Sequence, residues 1–195
     1  MGICLQDGKG RRDMKKVLVI LAPGFEEIET ITVVDILRRA GARVFMAGTE
    51  AGPMAGSRGV FVVPDGSLEL VNSDEYDMVV LPGGMPGTTN LQNNSRVLDI
   101  IARMNAEKMP VAAICAAPIV LQTAGILINK RVTSHPSVKD KLADVDYSED
   151  RVVVDGNIIT SRSPGTAMEF ALKLVEILFD KERVQTVNNG VLAKI

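Results

Sequence analysis

The chain has no tryptophan, two tyrosines, five phenylalanines, one histidine and two cysteines in 195 residues. With so few aromatics, a core has to be built from Val, Ile, Leu, Ala and Met. Two cysteines, Cys4 and Cys115, cannot frame a disulfide scaffold, so a reducing, cytoplasmic setting is expected. One histidine and one cysteine beyond the N-terminal leader are too few for the usual zinc ligand sets. No nucleotide or phosphate loop of a defined type is present either, so no cofactor is expected. The longest apolar runs fall well short of the roughly 20 residues that span a bilayer. A net charge of -2 excludes the broad basic face of a nucleic-acid binder. No block of like charges reads as an interaction tail.

What remains is an ordinary globular composition, 46% hydrophobic and 24% charged, with a length that suits one domain. Residues 1–13 (MGICLQDGKGRRD) stand apart as polar and rich in glycine and basic residues. They are expected to lie outside the fold, leaving residues 14–195 as the domain. Gly2 and Cys4 sit where acyl chains could attach, but Gln6 occupies the position at which the myristoylation pattern wants Ser or Thr.

From Met14 onward two textures alternate. Lys16–Ala22, Arg43–Ala47, Asp77–Leu81 and Val111–Ile114 are short, β-branched and apolar throughout, as expected of strands covered on both faces. Between them, Glu26–Ala40 predicts a helix with acids in its first turn, Arg38 and Arg39 in its last, and Gly41 as its stop. Ser95 can cap a helix over Arg96–Lys108, and Ala116–Ala124 and Ala167–Phe179 predict two more. Val60–Val63 reads as a short strand or hairpin. Val152–Val154 and Ile158–Thr160 flank the turn signal Asp155-Gly156-Asn157. Such alternation predicts an α/β fold with a doubly wound, mostly parallel sheet between helices.

In such sheets ligands bind beyond the carboxyl ends of the strands. Four loops are therefore candidates: Pro23–Glu29, Pro82–Gly87, Cys115–Pro118 and Ser134–Pro136. Cys115 stands at a strand-to-helix junction of small residues, where a helix N-terminus would favour the thiolate. A buried structural cysteine fits the same position equally well. Glu26, Glu27 and Glu29 read as first-turn acids, of which solvent exposure accounts for at most two. The remaining one could turn toward Cys115. If Glu29 touches the sulfur it should be largely neutral, with a raised pKa. The backbone N–H groups of Gly84 and Ala116 could form an oxyanion hole. His135 depends on its distance from Cys115, since a lone histidine is more often a packed or surface residue.

The set Gly24-Phe25-Glu26-Glu27-Ile28-Glu29, Leu81-Pro82-Gly83-Gly84, Ala113-Ile114-Cys115-Ala116-Ala117-Pro118, Ser134-His135-Pro136 and Pro164-Gly165-Thr166 strongly resembles the ThiJ/PfpI superfamily. The resemblance is to the branch of the parkinsonism-associated protein deglycase and bacterial YajL, and it runs from about Met14 almost to the C-terminus. It implies a flavodoxin-like homodimer with an easily oxidised nucleophile at Cys115 and a protonated glutamate, Glu29, beside it. Gly84 and Ala116 match the backbone donors and His135 the nearby histidine. Arg58 matches an arginine that reaches a partner's pocket, and Asp35 and Arg39 match interface positions. The implied activity is cofactor-independent chemistry on small reactive carbonyls or glycated amines, of the glyoxalase or deglycase type. The rival is an oxidative-stress sensor or redox-regulated chaperone working through a Cys115 sulfinic acid. Ala116 stands where the protease-like branch has histidine, and the Gly-x-Cys-x-Gly elbow of glutamine amidotransferases is absent, which disfavours both activities. Ser163 departs from the usual glycine before Pro164.

Overall fold

Strands that are apolar on both faces need cover on both, and the chain supplies helices in two layers to provide it. A computed structural model describes residues 14–193. The expected leader, with Gly2 and Cys4, lies outside the described residues. In chain order the elements are β1 (Lys16–Leu21), α1 (Glu27–Arg39), β2 (Arg43–Gly48), β3 (Met54–Ala55), β4 (Phe61–Val62), β5 (Gly66–Ser67), β6 (Met78–Leu81), α2 (Gly87–Gln92), α3 (Ser95–Ala106) and β7 (Val111–Ile114). Then follow α4 (Pro118–Thr123), β8 (Arg131–Val132), β9 (Asp146–Tyr147), β10 (Val152–Asp155), β11 (Ile158–Ser161), α5 (Ala167–Leu178) and α6 (Lys181–Val191).

Seven strands form one sheet in the order β10-β11-β7-β6-β1-β2-β5. Every neighbouring pair is parallel except the β10–β11 hairpin, which turns at Asp155-Gly156-Asn157 as the sequence predicts. Alternate residues of β1 face opposite layers. Val17, Val19 and Leu21 join the core under α1 and α5, with Val33, Leu37, Phe170 and Leu174. Leu18 and Ile20 join the core under α3 and α4, with Val97, Ile101, Val120 and Leu121. The expected α/β class, with a flavodoxin-like sheet sandwiched by helices, is what the chain forms. No helix among the described residues is long and apolar enough to cross a membrane.

Successive crossovers leave β1 toward β2 on one side and continue from β6 to β7 and β11 on the other. The switch point therefore lies between β1 and β6, where a crevice opens at the carboxyl ends of the strands. The loops after β1, β6 and β7 meet there. Two expectations need correction. The helix expected over Ala116–Ala124 begins only at Pro118 and has six residues, because Pro at its first position pre-sets the helical φ while Ala116 and Ala117 form a turn. A further helix, α6, follows Phe179 where the sequence shows little helical texture. Asp180 caps it by accepting from the Arg183 N–H at 2.8 Å, and Val187 packs on the core.

Candidate active site

Cys115 ends β7 in a conformation that side chains rarely adopt, with φ 65°. Left-handed backbone at a non-glycine residue costs on the order of 1–3 kcal/mol unless its surroundings hold it. Here both backbone groups are pinned. Its N–H donates to the Ser161 carbonyl at 2.9 Å, continuing the β11–β7 ladder, and its carbonyl accepts from the His135 N–H at 2.8 Å. The side chain is thrown out of the sheet at the switch point and is 9% exposed.

Glu29 lies in the first turn of α1 and is wholly buried. Its Oε2 accepts from the Gly83 N–H at 2.7 Å. Oε1 has no hydrogen-bond partner among the described residues, and the carboxyl lies beside the Cys115 thiol, close enough for each group to shift the other's pKa. Gly83 has to be glycine: a Cβ there would lie 2.7 Å from the Cys115 Cβ and 2.8 Å from Glu29 Oε2. Gly84, at φ 91°, has no more room, since a Cβ would come within 2.4 Å of the Glu26 nitrogen. The glycine pair thus lets a strand end lie directly on the sulfur and the carboxyl.

Burial pushes the Glu29 pKa up to about 7, with the Glu26 charge adding to the rise and bonds from Cys115 and Gly83 opposing it. The shift is upward, the direction expected from the sequence. Cys115 departs from expectation. Burial pushes its thiol up, and an ionised Glu29 pushes it further, while the Ala116 and Gly84 N–H groups pull it down. The expected thiolate-favouring field of a helix end is weak here because α4 starts three residues later and is short. Around neutrality the thiol keeps its proton while Glu29 exchanges its own. When the proton sits on Glu29, the repulsion that raises the thiol is gone and the carboxyl donates to sulfur.

The acids of the first turn also differ from expectation, since none is solvated. Glu26 is the N-cap of α1, and its Oε2 accepts the Glu29 N–H at 2.7 Å. Glu27 is buried too, and its Oε1 accepts the N–H groups of Arg58 at 2.6 Å and Val60 at 3.3 Å. Its Oε2 accepts the Ser57 hydroxyl at 3.2 Å. Burial alone would raise its pKa, but these bonds prevail and hold it below the usual value. Glu27 therefore fixes the loop that carries Ser57 and Arg58 to the site.

A cavity of about 310 Å³ opens over the sulfur. Cys115, Gly84, Ala116, His135 and Arg58, all singled out from the sequence, line it. Glu26, Ser57, Met85, Ser137 and Pro164 complete the lining. Glu26 and Pro164 sit within the motifs quoted above, Ser57 precedes Arg58, and Met85 lies within a candidate loop, but nothing in the sequence assigned them to a wall. His135 is half-buried. Its Nδ1 accepts the Ser137 N–H at 3.2 Å, so Nε2 is the nitrogen left for the cavity. Asp35 and Arg39 do not reach the cavity; they pair with each other at 2.6 Å on the exposed face of α1. Ser163 is extended, at φ -168°, which any residue adopts, and its N–H donates to Thr166 Oγ1, so the departure from glycine costs nothing. Among the described residues no group of three or more His, Cys, Asp or Glu side chains could hold a metal ion. A larger cavity of about 720 Å³ shares no residue with this one, and Arg151, Glu169, Lys173 and Glu176 on its rim are already paired.

A family model described as DJ-1/PfpI matches residues 15–177. The chain belongs to the DJ-1/PfpI family. Drosophila melanogaster DJ-1beta is 49% identical over 181 residues, covering 91% of this chain and 97% of that protein. Its crystal structure superposes with a TM-score of 0.89, at 48% identity, over 92% of this chain and 98% of that one. The glutathione-independent glyoxalase DJR-1.2 of Caenorhabditis elegans is 38% identical over 89% of this chain and 94% of its own length. A deglycase of Pyrococcus abyssi is 38% identical over 84% of this chain and 99% of its own length. Membership of the DJ-1/PfpI family agrees with the resemblance drawn from the motifs.

Proposed function

We propose that the protein is a cofactor-independent cysteine enzyme that converts reactive 2-oxoaldehydes to 2-hydroxy acids, with glycated amines as a related substrate class. The observation that carries this reading is the buried Glu29 carboxyl, titrating near 7, in contact with the Cys115 thiol beneath a cavity of about 310 Å³. The names of the nematode glyoxalase and the archaeal deglycase support the substrate class.

The steps balance without an outside oxidant. Glu29 takes the Cys115 proton and the thiolate adds to the aldehyde carbon, giving a hemithioacetal whose oxygen lies at the Gly84 and Ala116 N–H groups. Glu29 passes that proton to the hemithioacetal oxygen, then takes the proton from the former aldehyde carbon to give an enediol and returns it to the neighbouring ketone carbon. The hydroxyl proton of the former aldehyde carbon passes to the ketone oxygen. The aldehyde carbon is thereby oxidised to a thioester while the ketone is reduced to an alcohol. Water cleaves the thioester, releasing the hydroxy acid and regenerating the thiol. A group with pKa near 7 suits this work because it must be base and acid in turn. His135, through Nε2, assists at the water step.

The test is lactate formation from methylglyoxal without glutathione. Wild type is expected to form it, and Cys115→Ala and Glu29→Gln to lose at least a hundredfold of the rate, the lower end of what positioned acid–base groups contribute, about 10²–10⁴. A Cys115→Ala variant with full activity would overturn the reading. The second reading, a peroxide sensor, is favoured by one observation: the cavity admits small molecules to a sulfur that has no second cysteine nearby among the described residues to form a disulfide. Each peroxide would transfer one oxygen to sulfur and leave as water, up to the sulfinic acid. Absence of lactate from reduced wild type, together with a sulfinic product on mild peroxide treatment, would select it.

A homodimer belongs to the same proposal. Ile28 and Ile31 are exposed on the stripe of α1 that continues to Asp35 and Arg39. Phe61, 68% exposed, lies on the β3–β4 ribbon beyond the loop that Glu27 holds against the start of α1. Apolar side chains this exposed support a partner surface that brings Arg58 near a second site.

A further inference from the structure

Met85 immediately follows Gly84, one of the two N–H donors at the sulfur, and is a large apolar side chain left 44% exposed in the cavity lining. Its Sδ accepts the Thr89 hydroxyl at 3.5 Å, which ties the thioether to α2. The charged groups in the lining are one acid, Glu26, and one cation, Arg58, so net charge gives an ionic tail little advantage over a neutral one. Apolar surface is the discriminating feature, and it is supplied by Met85 with Ala116 and Pro164. Met85 and Gly84 line the same cavity, so a substrate whose oxygen rests at the Gly84 N–H has the Met85 side chain on its wall.

Resting on the carbonyl chemistry proposed above, we propose that Met85 is a specificity-determining residue. It receives the substituent of neutral 2-oxoaldehydes and selects those with an apolar group over glyoxal, which has none. Methionine suits this role because its unbranched, polarizable side chain adapts to groups of different shape. In a closed apolar pocket one methylene is worth roughly 10–200-fold in kcat/KM, and a half-exposed wall should give the low end of that range.

The experiment compares kcat/KM for glyoxal, methylglyoxal and phenylglyoxal in wild type, Met85→Asn and Met85→Leu. Wild type should prefer the two substituted compounds. Met85→Asn should lower the phenylglyoxal-to-glyoxal ratio about tenfold and the methylglyoxal-to-glyoxal ratio about threefold. Met85→Leu, which keeps the apolar wall, should hold both ratios within about twofold of wild type, and it separates loss of the wall from loss of the fold. Unchanged ratios in Met85→Asn would overturn the assignment. Failure of wild type to turn over any of the three would instead overturn the carbonyl chemistry on which the assignment rests.

Discussion

Glu29 is a carboxyl sealed from water, held by the Gly83 N–H and lying beside the Cys115 thiol. Its pKa rises from 4.5 unfolded to about 7 folded. Between those values the folded protein holds a proton that the unfolded chain releases, so stability falls as pH rises through this window. Above about 7 the loss is complete, at roughly 3 kcal/mol from about 1.4 kcal/mol per pKa unit. Glu29→Gln escapes this loss. Its stability relative to wild type, followed by denaturant melts, should therefore rise between pH 4.5 and 7 and then level off; a difference that is flat from pH 4.5 to 8 would contradict the placement of that proton. Gly83→Ala tests the close approach. The added Cβ would meet the Cys115 Cβ, Glu29 Oε2 and the Ala116 nitrogen within 3.0 Å, and two of these three contacts are with the side chains proposed to be catalytic. Lactate formation should fall at least a hundredfold, and normal turnover would show that the close approach of Gly83 is not required. At this scale the sequence offered Cys115, Glu29 and the glycine pair as candidates, since each carries a residue type that the proposed chemistry needs, and the fold brings them together. The sequence did not reveal the φ of Cys115 or the rise of its thiol, because both depend on what three other strand ends place around the sulfur.

The apolar strands were legible because burial on both faces leaves no polar position in a run such as Val111–Ile114. Helices α1, α3 and α5 were legible to within two residues, by their stripes and charges. Those missed, α2 and α6, lack such a signal: Gly87–Gln92 is short, and α6 contains Gly190 and two asparagines. The first turn of α1 misled for a different reason. Three acids look like dipole complements, yet Glu26 caps the helix, Glu27 clamps a distant loop and Glu29 enters the site. Proximity across 31 residues of sequence is invisible to local pattern. Glu27→Ala should release the Ser57–Val60 loop without moving Cys115. Amide exchange there should accelerate by more than tenfold, and stability should fall by about 1–3 kcal/mol for the lost hydrogen bonds to the carboxylate. Protection unchanged in that loop would show that other contacts hold it.

At the scale of the whole molecule, the doubly wound order puts the switch point between β1 and β6, and the site follows from that placement. The exposed apolar residues of α1 and the β3–β4 ribbon belong to the same end of the argument, since a lone domain rarely leaves such a surface bare. Ile31→Asp with Phe61→Asp should shift the protein from dimer to monomer in sedimentation velocity, whereas a monomeric wild type at micromolar concentration would remove the proposed partner. What the chain does as a whole, however, turns on whether its sulfur bonds to substrate carbon. The most direct measurement is peptide mass spectrometry after acid quench during steady-state turnover of methylglyoxal. The account predicts a lactoyl thioester on the peptide that carries Cys115, absent without substrate and absent in Cys115→Ala. Lactate accumulating while that peptide stays unmodified, at times when single-turnover kinetics require a populated intermediate, would contradict it.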